Sequence, residues 1–185
     1  MTEEWDKKRE TKRLNDSAAN LYDERYTEEQ KVKYSEALGS FKVEGLRSLL
    51  DAGCGTGLFI EYLGNANSEI FGLDTSIECL KIANGKFRNR ENIFLICGDS
   101  DFMPFASSSF DGGVAFTLIQ SIPKPLITLE EIVRVLKRDA PLIISSLKKG
   151  ISLNRFEALL HSTNLKLVKM VDDENLKDYI AICKS

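Results

Sequence analysis

The chain holds one histidine, one tryptophan and four prolines in 185 residues, and its four cysteines, Cys54, Cys79, Cys97 and Cys183, form no C-x-x-C pair. A lone histidine and scattered cysteines exclude a zinc cage and a disulfide framework, so no metal is expected. The cysteines are expected as reduced thiols, with Cys79, Cys97 and Cys183 serving as small buried hydrophobes. No apolar run nears the roughly 18 residues that cross a membrane, and no linker, repeat or low-complexity tract is present. Met1 to Arg13 alternates acids and bases without an apolar stretch, which predicts no secretory signal, no membrane association and a cytoplasmic location. What the chain does have is 43% hydrophobic and 29% charged residues, the composition of one globular domain. The net charge of −3 is uneven: residues 133–185 carry 10 basic and 6 acidic side chains, which permits an anionic partner such as RNA without requiring one.

The first forty residues are polar and helix-prone. Leu14, Ala18, Leu21 and Tyr22, then Val32, Tyr34, Ala37, Leu38 and Phe41, fall at helical spacing and predict two helices packed on the edge of the remaining chain. From Leu46 the pattern changes to short apolar runs alternating with amphipathic stretches. Strands are read at LRSLLDA, SEIFGLD, NIFLIC, FDGGVAF, APLIISSL, LKLVKMV and YIAIC, with helices near 57–64, 76–87, 125–137 and 152–162. Such alternation implies parallel strands with right-handed crossovers. DDENLKD, between the last two runs, is too short for a crossover and predicts an antiparallel hairpin. The expected fold class is α/β: a doubly wound, Rossmann-like, mostly parallel seven-stranded sheet with helices on both faces and the last strand antiparallel.

The chemistry is concentrated at the ends of those strands. LLDAGCGTG places Asp51 and Ala52 before Gly53, Gly55 and Gly57, whose missing side chains permit a tight turn and close approach of a ligand. The G-x-G-x-G spacing misses the G-x-G-x-x-G fingerprint that seats a pyrophosphate, and a phosphate-binding loop's Lys is absent. An acid beside the turn suits a ligand bearing an amine or hydroxyls. Asp74 ends the next apolar run, where a carboxylate can accept both hydroxyls of a ribose; capping of the following helix is the alternative, a role open equally to Thr75 or Ser76. Asp99, after the third strand, can accept an adenine amine, with Phe102 or Met103 flanking the ring.

Taken together these residues resemble the class I S-adenosylmethionine-dependent methyltransferases, from about Tyr22 to the end of the chain. LDAGCGTG is similar to the family's first motif, GLDTS to its second, GDSDFMPFASSSFD to the third, and VLKRDAPLIISS to its fifth-strand region. The resemblance implies one methyltransferase domain over 1–185, with helices in 1–45 covering the cofactor site and a core at 46–185. It implies S-adenosyl-L-methionine as cofactor, with Gly53, Gly55 and Gly57 beneath its methionine portion and Asp51 and Ala52 near the amine. Asp74 and Thr75 would serve the ribose, Asp99 and Ser100 the adenine, and Phe116 and Thr117 the methyl end. YDERY, with Tyr22 and Tyr26, is similar to the aromatic segment that closes over the cofactor in small members.

The chain departs from common members after the fourth strand. AFTLIQSI puts Gln120 and Ser121 where many small-molecule enzymes carry a Glu-His or His-His base, and no Asn-Pro-Pro-Tyr is present. The catalytic residue is therefore unassigned, with Tyr22, Tyr26 and Asp101 as candidates for proton transfer. The acceptor is unidentified and read as a small molecule. The alternative is an RNA or protein methyltransferase subunit needing a small activating protein, suggested by the missing substrate insert. A nicotinamide-dependent oxidoreductase and a non-catalytic cofactor-binding module are further readings.

Overall fold

The computed structural model describes residues 3–40, 43 and 45–185. Helix α1 (Glu3–Leu38) leads into strands β1 (Ser48–Ala52), β2 (Glu69–Asp74), β3 (Ile93–Cys97), β4 (Gly112–Ala115), β5 (Pro141–Leu147), β6 (Lys166–Val171) and β7 (Asp178–Lys184). Helices α2 (Leu58–Leu63), α3 (Ile77–Phe87), α4 (Pro125–Val135) and α5 (Leu153–His161) connect them. One seven-stranded sheet results, in the order β3-β2-β1-β4-β5-β7-β6. The first five strands are parallel, and β7 runs antiparallel to both β5 and β6. The alternating pattern and the closing hairpin of the sequence are thus realised.

Strand alternation sorts the core onto the two faces. Leu50 and Ala52 of β1 pack with Leu142 and Ile144 of β5 against Leu129 and Ile132 of α4 and Phe156 of α5. Their neighbours Leu49, Val114 and Ile143 pack on the opposite face with Tyr34 and Ala37 of α1 and Phe59 of α2. Strands buried on both sides read as continuous apolar runs, which is why LLDA and LIIS carry no polar period. The order in which strands are added reverses at β1, with β2 on one side and β4 on the other. The carboxyl ends of these two strands frame the ligand crevice of such a sheet.

The amino-terminal segment is one 36-residue helix, not two. No Gly or Pro interrupts it before Gly39, and ion pairs one turn apart, such as Lys12–Asp16 and Lys31–Glu28, support its outer face. Its inward residues are Ala19, Gln30, Lys33, Tyr34 and Ala37, whereas Leu14, Leu21 and Val32, expected to pack inward, are exposed. Charged and polar contacts to the sheet edge set the helix's rotation in place of a leucine stripe. Phe41 lies outside the described residues. Cys97 also differs from expectation: it is exposed, because it ends the edge strand β3, which has no neighbour on one side. No helix among the described residues is long and apolar enough to cross a membrane.

Candidate active site

The turn after β1 is fixed by backbone bonds. The N–H groups of Gly53 and Cys54 donate to the Leu73 carbonyl at 2.8 and 3.1 Å, locking the turn to the end of β2. Gly55 has φ +53°, and a Cβ there would meet nothing within 4 Å, so its backbone faces open space. Its N–H donates to Asp74 Oδ2 at 2.9 Å, while Asp74 Oδ1 accepts from Ser76 N–H at 2.8 Å. Gly57 has another reason to be glycine. With φ +78° it starts α2, and a Cβ would come within 2.5 Å of the Phe87 ring of α3.

Ser76 caps α3, its Oγ accepting from Cys79 N–H at 3.2 Å. The capping alternative for Asp74 is thereby removed, and its carboxylate lines the crevice. Burial pushes the Asp74 carboxyl up, against the opposing pull of the Ser76 and Gly55 N–H groups. Asp51 lies one strand away, almost fully buried, and its Oδ2 has no hydrogen-bond partner among the described residues. Burial, with the Asp74 charge adding to it, pushes Asp51 up to about 8.

These loops and α1 enclose a cavity of about 800 Å³, toward the upper end of ligand pockets, which span roughly 300–1,000 Å³. It brings together Gly53, Gly55, Asp74, Thr75, Asp99, Ser100, Phe116, Thr117, Tyr22 and Tyr26 of the residues singled out in the sequence. Asp51, Ala52 and Gly57 lie outside its lining: Ala52 points into the core, Gly57 serves helix packing, and Asp51 is buried by the chain around it. Phe102 is exposed beside Asp99, whereas Met103 is buried in the core. Asp101 leaves the set of proton acceptors, since it is buried and bonded to Thr128 Oγ1 and the Lys8 ammonium. Burial raises Tyr22 well above its ordinary value, so its hydroxyl keeps its proton.

The opposite wall is α1. Lys8 reaches Asp99 Oδ2 at 2.8 Å; Asp16 Oδ1 accepts from Ser76 Oγ at 2.6 Å; Asp23 accepts from Thr56 Oγ1. Farther along, Lys33 Nζ donates to Asp178 Oδ2 at 2.9 Å and to Thr117 Oγ1, with Lys33 and Asp178 each 2% exposed. Burial lowers the Lys33 ammonium, opposed by the Asp178 charge. Asp178 Oδ2 also accepts from Thr117 Oγ1 at 3.1 Å and Ser145 Oγ at 2.9 Å, and Ser145 Oγ accepts from Thr117 N–H at 2.9 Å. This network holds Thr117, a β-branched residue, at φ +55°, a conformation such residues rarely adopt. Sequence reasoning missed Trp5, Lys8, Lys33, Ser145 and Asp178. The one available signal was a lysine one turn before Ala37 and next to Tyr34, a charge on the face that packs inward.

Residues 50–144 match the methyltransferase domain family. The chain is 34% identical over 113 residues to demethylmenaquinone methyltransferase of Staphylococcus carnosus, covering 60% of this chain and 47% of that protein. Its fold is shared by a crystal structure of an S-adenosylmethionine-dependent methyltransferase from Aquifex aeolicus, with TM-score 0.73 and 20% identity over 82% of this chain and 88% of that one. A chain in the complex of the Haloferax volcanii Trm112 methyltransferase activator with a protein assigned as a methyltransferase also shares it, with TM-score 0.73 and 18% identity over 92% of this chain and 96% of that one. The chain spans about half the length of curated relatives it matches. With a family match over more than half of its residues, on a seven-stranded sheet whose strand ends carry the motif residues, the chain belongs to the methyltransferase domain family, the S-adenosylmethionine-dependent methyltransferases of class I fold.

Proposed function

We propose that this methyltransferase-family chain transfers a methyl group to a small-molecule acceptor held at the Phe116–Ser121 end of the cavity. The observation that carries the reading is the convergence of Gly55, Asp74, Asp99 and Thr117, from the carboxyl ends of four neighbouring strands, on one cavity under α1. The residues present fit S-adenosylmethionine. Asp74 would accept the ribose hydroxyls and Asp99 the adenine amine, and the unpartnered Asp51 carboxyl, behind the lining and protonated in the ligand-free chain, would ionise as the cationic methionine amine arrived. When bound, this cofactor supplies a methyl group already activated by a sulfonium. The chain's task is then positioning and exclusion of water. Phe116, packed edge-on with Tyr34 at 4.8 Å between ring centroids, and Thr117 in its buried network would form a rigid floor. With Tyr22 keeping its proton and Asp101 committed to Lys8 and Thr128, Tyr26 is left of the three candidates for proton transfer, and an acceptor arriving with its nucleophilic lone pair free would need none. A covering helix 36 residues long supports a small acceptor over an RNA or a folded protein. We place the chain in the cytoplasm, where an exposed free thiol such as Cys97 persists.

Calorimetric titration with S-adenosylmethionine, S-adenosylhomocysteine and a nicotinamide dinucleotide tests the reading. Heat with the first two alone is expected; heat with the dinucleotide alone would overturn it. A second reading, a catalytic subunit that needs a small activating protein, is supported by the fold shared with the Haloferax complex and by the edge strand β3, where Phe94 is 39% exposed. Turnover by the isolated chain would decide against that second reading.

A further inference from the structure

Between the first turns of α1 and the loop after β3 lies a charged and aromatic cluster of which the proposed reaction uses only Asp99. The Lys8 ammonium, on a side chain only 14% exposed, donates to Asp99 Oδ2 at 2.8 Å and to Asp101 Oδ2. It lies 5.4 Å from the centroid of the Trp5 ring and 5.7 Å from that of Phe102, both within cation–π range. Both rings are half or more exposed, although large aromatic side chains normally bury their faces. Trp5, Lys8 and Asp99 all line the cavity.

The two carboxylates that share this ammonium differ. Asp101 is buried and fixed by Thr128 Oγ1, so it can keep a cation by itself. Asp99 is 25% exposed in its side chain, spends Oδ1 on the Asp101 N–H at 2.9 Å, and offers Oδ2 to Lys8 and the cavity. An aminopurine duplicates what the ammonium gives Asp99, an N–H donor, and adds a flat face for the exposed rings. The pair is also unneeded for closing α1 on the core. Asp16 with Ser76, Asp23 with Thr56 and Lys33 with Asp178 already hold the helix along its length.

We infer that Lys8 is a displaceable placeholder for the adenine of the cofactor, and that Trp5 stacks on the ring once the ammonium has withdrawn from Asp99 to Asp101. The inference rests on the cofactor reading of the cavity. It carries an unusual sign: a lysine that merely straps the helix down strengthens binding, whereas a placeholder competes with the ligand, so removing it tightens binding.

Trp5 is the only tryptophan, so its emission reports on this corner alone. S-adenosylhomocysteine is titrated into the wild-type chain, Lys8→Met, Lys8→Gln and Trp5→Leu by calorimetry, with circular dichroism as the folding control and Trp emission followed in the first three. The dissociation constant should fall roughly two- to fivefold in Lys8→Met, the range of a partly exposed ion pair, and in the same direction in Lys8→Gln. Trp5→Leu should raise it roughly two- to tenfold, and wild-type emission should change on binding. Equal or weaker affinity in folded Lys8 variants overturns the placeholder, and unchanged emission in a protein that calorimetry shows to bind overturns the stacking role. No heat from any of the four proteins overturns the cofactor reading, and the inference with it.

Discussion

The cavity has two walls built by different means. On the sheet side, the turn of Gly53 and Cys54 is placed by backbone hydrogen bonds to the Leu73 carbonyl of the adjacent strand end, with one carboxylate, Asp74, accepting from the Gly55 N–H. On the helix side, α1 is held by side chains with formal charges, Lys8, Asp16, Asp23 and Lys33, reaching partners up to 145 residues away. Backbone bonds in a buried sheet are insensitive to salt and pH. Side-chain ion pairs respond to both, least where they are buried. The site therefore joins a rigid half to a half whose attachment depends on charge.

The largest effect should come from the fully buried charge pair of the helix wall. Lys33→Met leaves Asp178 buried without its cation and should cost about 3–5 kcal/mol of stability by chemical denaturation. The double variant Lys33→Met with Asp178→Asn should recover a large part of that loss, which a simple packing role for Lys33 would not allow.

Gly57→Ala strikes the sheet wall. A Cβ 2.5 Å from the Phe87 ring, on a residue with φ +78°, should cost about 2–4 kcal/mol. Its effect on S-adenosylhomocysteine affinity should be small next to the stability loss, because Gly57 is outside the cavity lining.

Asp74→Ala should weaken cofactor binding by about 1.5–3 kcal/mol in calorimetry if the carboxylate accepts the ribose hydroxyls. Unchanged affinity would remove that role.

Asp51 gives a pH signature. Its carboxyl is raised from 3.8 to about 8, so across that window the folded state holds a proton that the unfolded chain releases. Its contribution to stability is complete below about pH 4 and lost as the pH rises through about 8. Asp51→Asn should therefore flatten the pH dependence and raise the melting temperature of the ligand-free chain at pH 8.5. A gain on the order of 1 kcal/mol corresponds to about 2–4 °C. A melting temperature that rises with pH in the wild type would contradict this.

The smallest change tests the salt sensitivity of the helix wall. Asp23→Ala removes contacts to Thr56 and Lys86 that are partly solvated, and should cost under about 1 kcal/mol, less still in high salt.

The two walls also differ in how far the sequence reveals them. Gly53, Gly55, Asp74 and Asp99 sit one step beyond apolar runs, and strand ends in a doubly wound sheet converge by topology, so local pattern located them. The shared strand pattern hid a distinction between neighbours in one turn: Gly55 faces the cavity and Gly57 faces Phe87, a difference set by a helix thirty residues on. The single long helix and its inward face were illegible for another reason. Its apolar residues Leu14, Leu21 and Val32 point outward, and the contacts that orient it pair charges with residues the periodicity does not connect. Lys33 marks the boundary of what could be read, since a lysine beside Tyr34 implies a buried partner but not that the partner is Asp178.

The distance along the chain between Lys33 and Asp178 bears on synthesis. Ribosomes add about 5–20 residues per second, so the segment forming α1 emerges roughly 7–29 s before the strand that neutralises its buried ammonium. Until β7 is made, that helix has no complete seat, and the sheet wall can assemble first from strands that are already neighbours. The Asp16 and Asp23 anchors of the helix need only residues made early, whereas the Lys33 anchor must wait for β7, so the Thr117 end of the cavity is the part whose buried charge is neutralised last.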